Sequence, residues 1–166
     1  LQLSRWLPNR LIIIVADSSY AVIELLASVR HHVCVITRLR LDAALYDFVP
    51  KRPKGKVGRN RKKGERLKNL QELIDDPTTQ WTKITIPQWY NHGAVEMLVA
   101  TGTAIWYHSG MTPLPIRWVL IKDPNGKIKT SALLTTKLDL NPLQIIDFFI
   151  QRWTVEVTFE EVRAHL

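Results

Sequence analysis

Residues 141–166 read NPLQIIDFFIQRWTVEVTFEEVRAHL, and no proline or glycine follows Pro142. Asn141 suits a helix N-cap, Pro142 a first helical position and Gln144 the capping-box partner three residues after the cap. Ile146, Phe149, Ile150, Trp153 and Val157 recur at three- and four-residue steps, so one stripe of the predicted helix faces a core. At about 100° per residue, Phe149, Arg152, Glu156 and Arg163 share a sector of roughly 60° beside that stripe. Glu156 therefore has an arginine one turn before it and another two turns after it.

Helix physics alone reads such a face as solvated ion pairs, which are common and weak. The order is poor for that purpose. Arg152 precedes Glu156, the less favourable polarity for an i, i+4 pair, and Glu156 faces Glu160 at like-charge spacing. The intervals match something else: the Y-x2-R-x3-E-x6-K signature of insertion-sequence DDE transposases, with Phe149 for Tyr and Arg163 for Lys. The string RWTVEVTFEEVRAHL resembles one branch of that group. The resemblance implies that Glu156 is the final acidic residue of a metal-binding triad.

Arg10 precedes the β-branched run Leu11–Val15, bounded by Pro8-Asn9 and Asp17-Ser18-Ser19, which predicts a buried parallel strand. Ser18 or Ser19 can cap a following helix that carries Tyr20, Ile23, Leu26 and Ala27 inward and ends near His31. Val33–Thr37 is then a second buried strand, completing a β-α-β unit with a right-handed crossover. Asp17 stands past a strand end, where a helix cap is the commoner role but where open α/β sheets also place ligand-binding groups. The string IIIVADSSYA resembles the second catalytic Asp of the same family, on a central strand of an RNase H-like sheet. By that resemblance Asp17 and Glu156 are both catalytic and metal-binding.

The chemistry accounts for the carboxylates. Two divalent ions roughly 3.5–4 Å apart activate the attacking oxygen and stabilise the leaving one. Magnesium prefers hard oxygen ligands and keeps several waters, so the resemblance implies two Mg2+ (or Mn2+) ions in the intact family site. His31, His32, His92, His108 and His165 show no metal-ligand spacing.

Charge is concentrated. Of a net +8, the stretch 51–68 alone supplies +9. It holds Lys51, Arg52, Lys54, Lys56, Arg59, Arg61, Lys62, Lys63, Arg66 and Lys68 against Glu65 only, leaving the rest near −1. Pro50, Pro53, Gly55, Gly58 and Gly64 mark it as a loop. A near-neutral domain with one basic loop points to a polyanion, here DNA backbone. The longest apolar run, Leu11–Ala16, is too short to span a bilayer, so no membrane partner is expected. The single cysteine, Cys34, excludes an intramolecular disulfide and fits a reducing cytoplasm. The resemblance adds a bacterial cytoplasmic, nucleoid-associated setting and a transposase oligomer on DNA.

From Arg38 the chain is expected to leave the sheet, with a turn of helix between Leu39 and Tyr46. Thr82–Ile86, Val95–Ala100, Thr103–Tyr107 and Ile116–Ile121 read as strands, and Asp123-Pro124-Asn125-Gly126 as a hairpin turn into Lys127–Thr135. Trp81, Trp89, Trp106 and Trp118 suit core filling better than base stacking. The expected fold class is α/β, and the resemblance implies a partial RNase H-like fold, the β-α-β unit plus the C-terminal helix, interrupted by a β-rich insertion. Its parts are 1–37 (partial core), 38–114 (basic loop and insertion) and 115–166 (hairpin and catalytic-type helix).

Only ten residues precede Leu11, too few for the strands that carry the family's first Asp, and Asp42 and Asp47 come too late in the chain. The expectation is a fragment of a DDE transposase catalytic domain, inactive alone, whose intact relatives cleave DNA and transfer strands. The alternative is a non-catalytic DNA-binding remnant of the same fold. An unrelated α/β protein with a basic loop is a third reading.

Overall fold

A computed structural model describes residues 2–50, 55, 57, 58, 60–90 and 93–164, with the side chains of 153–157, 160, 161 and 164 excepted. The elements run α1 (Gln2–Trp6), β1 (Ile13–Val15), a 3-10 turn (Ser18–Tyr20), α2 (Ile23–Val29), β2 (Cys34–Leu39) and β3 (Leu45–Tyr46). There follow α3 (Leu70–Asp75), β4 (Thr82–Ile86), β5 (Val95–Trp106), β6 (Leu114–Lys122), β7 (Ser131–Thr135) and α4 (Pro142–Ala164). The architecture is mixed α/β around one seven-stranded sheet of order β1-β2-β7-β6-β5-β3, with β4 beside the first half of β5. β1 and β2 are parallel, as the β-α-β reading expects, and every other pairing is antiparallel.

Strand alternation divides the core between two faces. Val35, Leu39, Ala100, Ala104, Leu120 and Leu134 meet Ile23 and Leu26 of α2 and Leu70 of α3. On the opposite face Ile36, Met97, Val99, Val119, Ile121 and Leu133 meet Ile145, Ile146, Phe149 and Ile150 of α4. The α4 start follows its sequence signals: Gln144 N–H donates to Asn141 Oδ1 at 2.9 Å, and Asn141 N–H donates to Gln144 Oε1 at 3.1 Å. Ile146, Phe149 and Ile150 of the expected stripe are buried; the side chains of Trp153 and Val157 lie outside the described residues. Trp89 and Trp106 are buried, and Trp81 and Trp118 pack on the core, in keeping with a filling role.

Several expectations need correction. The residue that caps the turn after β1 is Asp17, not Ser18 or Ser19, and it caps only a 3-10 turn before the chain restarts as α2 from Val22. Tyr20 consequently points to solvent. β1 begins at Ile13 rather than Leu11. Among the described residues no strand pairs with its outer edge, where Leu11 and Ile14 are exposed. β2 continues through Arg38 to Leu39, because Ala132 and Leu133 of β7 supply a ladder for it. Leu45–Tyr46 is a strand on β5 rather than part of a helix, since Leu45 is buried beside Trp106.

Val95–Ala100 and Thr103–Tyr107 are one strand, not two. Gly102 continues it because Trp118 of β6 lies across the glycine: an added Cβ would stand 2.7 Å from the indole Cζ2. The 123–126 turn forms as expected, but β7 starts only at Ser131. The Asp123 carboxylate accepts the backbone N–H groups of Asn125, Lys127 and Ile128 at 2.8–3.0 Å, which holds residues 125–128 out of the ladder. The Asn125 N–H foremost, with those of Ile128 and Lys127, keeps this carboxyl below the usual range despite its burial.

Gly102→Val should overpack the Trp118 contact and lower stability by about 1–3 kcal/mol, read as a lower urea midpoint at unchanged slope.

Candidate functional site

Asp17 ends the run that begins with β1. Ala16 N–H donates to Ile36 O at 2.9 Å, and the Thr37 hydroxyl, fully buried, donates to Asp17 O at 2.7 Å. The backbone of Asp17 is thus tied to β2 while its carboxylate stays exposed. Oδ1 accepts the Ser18 N–H at 2.6 Å and the Ser18 hydroxyl at 3.3 Å. The Ser18 N–H is the main cause holding the Asp17 pKa below its ordinary value. Partial desolvation opposes it, and the Ser18 hydroxyl and the charges of Arg152 and Arg38 add to it. The group is an ionised, hard-oxygen donor near neutral pH, suited to a divalent cation.

Those two arginines come from separate elements. The parallel register pairs Val15 with Ile36, so Arg38 stands level with Asp17 one strand over. Arg152 comes from α4 and is half-buried. Phe149, buried against the sheet, is shared by both: each guanidinium carbon is 5.6 Å from its ring centroid. Stacking of this kind contributes about 0.5–1 kcal/mol at exposed sites and orients the guanidinium plane. The phenyl ring at this signature position thus bridges α4 to β2, needing no hydroxyl to do so.

Glu156 follows Arg152 by one turn on the α4 backbone, and its side chain lies outside the described residues, so its distance to Asp17 does too. Arg163 is exposed in the last turn of α4. Among the described residues no three of His, Cys, Asp or Glu converge as a metal cluster. None of the described helices is long and apolar enough to cross a membrane.

Arg38 is the residue that sequence reasoning missed. The signal was available: in a parallel β-α-β unit the residues two past the paired strand ends share one level, and Arg38 is the cation there. Beside it, Arg38, Arg40, Trp89, Tyr90, Lys129 and Phe149 line part of a cleft of about 450 Å³ at the C-terminal end of β2. Trp89 carries its indole against Tyr90, edge to face at 5.2 Å.

Of the basic stretch, Lys51, Arg52, Lys54, Lys56 and Arg59 lie outside the described residues. Arg61, Lys62, Lys63, Arg66 and Lys68 are described, and they sit at the opposite edge of the sheet from Asp17. The stretch is closed at its base. Asp47 N–H donates to Glu65 O, Gly64 N–H to Asp47 O and Leu67 N–H to Leu45 O, at 2.8–3.0 Å. Gly64 is required there, since a Cβ would stand 2.7 Å from Phe48 O. Lys63 Nζ lies 3.3 Å from the Tyr46 ring centroid and 4.7 Å from that of Tyr107. Lys68 is paired with Asp76 at 2.5 Å, and Arg61 is loosely paired with Glu65 at 3.8 Å.

A family model described as transposase DDE domain matches residues 1–166. No curated protein matches the chain.

Arg38→Ala should raise the Asp17 pKa, because it removes a positive charge that favours the carboxylate. A carbon-detected NMR titration of the Asp17 carboxyl reads this directly, and an unmoved midpoint would remove Arg38 from the site.

Proposed function

The chain belongs to the transposase DDE domain family, and we propose that its Asp17 and Glu156 hold divalent metal for cleavage and joining of DNA. The observation that carries this reading is the convergence on Asp17. An exposed carboxylate past a parallel strand receives the charge of Arg38 from β2 and of Arg152 from the signature helix. Carboxylate oxygens bind the metal; the adjacent guanidiniums suit a DNA phosphate, which they can engage through paired N–H donors.

Magnesium or manganese bound here would supply Lewis-acid activation of a phosphodiester and of its attacking oxygen. The chain's own residues do the positioning. Thr37 fixes the backbone of Asp17, the Ser18 N–H keeps its carboxylate ionised and oriented, and Phe149 holds the guanidiniums of Arg38 and Arg152 each 5.6 Å from its ring centroid. Arg163, farther along α4, is assigned to phosphate or to Glu156. The basic stretch Lys51–Lys68 supplies non-specific affinity for the DNA backbone.

Two carboxylates position two ions poorly, and in-line attack needs geometry held to a fraction of an ångström. The finer proposal is that these 166 residues retain DNA and cut it only when a further carboxylate completes the site. The second reading, a DNA-binding remnant, differs in one measurable way: adding a separate polypeptide that carries the further strand and Asp would restore no cleavage.

Asp17→Asn and Glu156→Gln should each weaken Mn2+ binding, measured by calorimetry or paramagnetic broadening, without weakening DNA binding in EDTA, where a carboxylate only repels phosphate. Equal Mn2+ affinity in both variants and the parent would end the metal assignment. Neutralising Lys51, Arg52, Lys62 and Lys63 to alanine should reduce the log K against log salt slope by several units, at about 0.9 per lost phosphate contact.

A further inference from the structure

Near the C-terminal end of β5 a second cationic feature is built from parts remote from Asp17. Asn60, Arg61, Lys62, Lys63, Gly64 and Tyr107 line most of an open cleft of about 600 Å³. Among the described residues, the carboxylate that meets these cations is Glu65, at 3.8 Å from Arg61. Lys63 is held over Tyr46, and Tyr46 meets Tyr107 edge to face at 6.2 Å. With Gly64 locked against Asp47 and Phe48, the returning end of the basic stretch is fixed to the sheet.

The register locates this corner relative to Asp17. Arg38, level with Asp17, pairs with Leu133, Leu133 with Val119, and Val119 with Thr101. Tyr107 lies six residues farther along the same strand line, toward the opposite end of the sheet. Four strand spacings of ~4.8 Å across and six residues of ~3.3 Å along give a diagonal on the order of 28 Å. Alternation from Met97 and Val99 puts Tyr107 on the face that α4 covers at its other end, and Tyr46 shares it through its pairing with Ile105. Between the two corners that face presents the exposed Thr101 and Thr103 with half-buried Arg117, whereas Glu96, the carboxylate of β5, alternates to the opposite face.

We propose that Arg61 and Lys62 form a second duplex-phosphate contact, about eight base pairs from the phosphate held at Asp17 at ~3.4 Å per step, with Lys63 as the positioning residue that fixes the corner. The partner is duplex DNA rather than a small anion because the two cationic corners lie on one face, separated by a polar surface, at a spacing only an extended polyanion bridges. This rests on the DNA reading above and adds where on the DNA the basic stretch acts.

Binding of the full chain to two labelled DNAs, followed by anisotropy in EDTA, tests it. One is a 16-base-pair duplex. The other is a six-base-pair stem closed by a hairpin loop, too short to reach both corners. On the long duplex the corners act together, so losing one costs effective concentration as well as contact. Arg61→Ala/Lys62→Ala should weaken binding about tenfold there and lower the salt slope by roughly two. On the short stem, where Arg38 and Arg152 can bind alone, the loss should stay within about twofold. Lys63→Gln should reproduce the long-duplex loss in part and increase amide exchange of residues 64–67, whereas Arg61→Ala/Lys62→Ala should leave that exchange unchanged. Equal losses on both DNAs, or no loss on the long one, would overturn the remote contact. Failure of the unaltered chain to bind either DNA at low salt would overturn the DNA reading itself.

Discussion

The apolar stripe of α4 has one place to be buried, the sheet face made by Ile36, Met97, Val99, Val119 and Leu133. Ile145 and Ile146 are essentially removed from water there, and each such side chain contributes about 1.5–3 kcal/mol. That burial fixes the rotation of the helix about its axis. Once Phe149 is seated on the sheet, Arg152 three residues later is half-buried beside its ring rather than free in solvent. The charge of Arg152 then reaches Asp17, a residue more than a hundred positions earlier in the chain. Hydrophobic packing, which is non-directional, here aims a directional cation.

The same constraint explains why a phenylalanine serves at 149. Its ring is enclosed by the sheet on one side and by two guanidiniums at equal distance. The aromatic ring attracts both cations and holds them close to one another's level. Arg38 contributes from a strand that β7 lengthens: pairing with Leu133 holds it in the ladder. The segment between the two halves of the site is therefore part of the site's support.

Charge is distributed along the sheet as well as along the chain. The cations at the Asp17 end are few and stacked, whereas those of the 51–68 stretch belong to a loop whose closing end is pinned by Lys63 on two tyrosines. Pinning matters energetically because an unanchored basic loop pays ordering entropy for every phosphate it engages. Lys68 is committed to Asp76 and contributes little net charge to that corner.

The sequence by itself determined the local features whose causes are local. The Asn141–Gln144 cap, the parallel β1–β2 unit, the 123–126 turn and the basic loop each depend on neighbours within a few residues or on simple periodicity. It also carried the family, through intervals on one helix. Where the reading failed, a distant partner had overridden a local signal: Trp118 let Gly102 remain in a strand, β7 kept Arg38 in the sheet, and Trp106 drew Leu45 into one. The site divided along the same line. Asp17 could be picked out as the residue past a strand, but whether it stands beside a cation depends on inter-strand register and helix rotation. Only tertiary packing decides those, because register and rotation minimise exposed apolar area over the whole sheet rather than over any one stretch of chain.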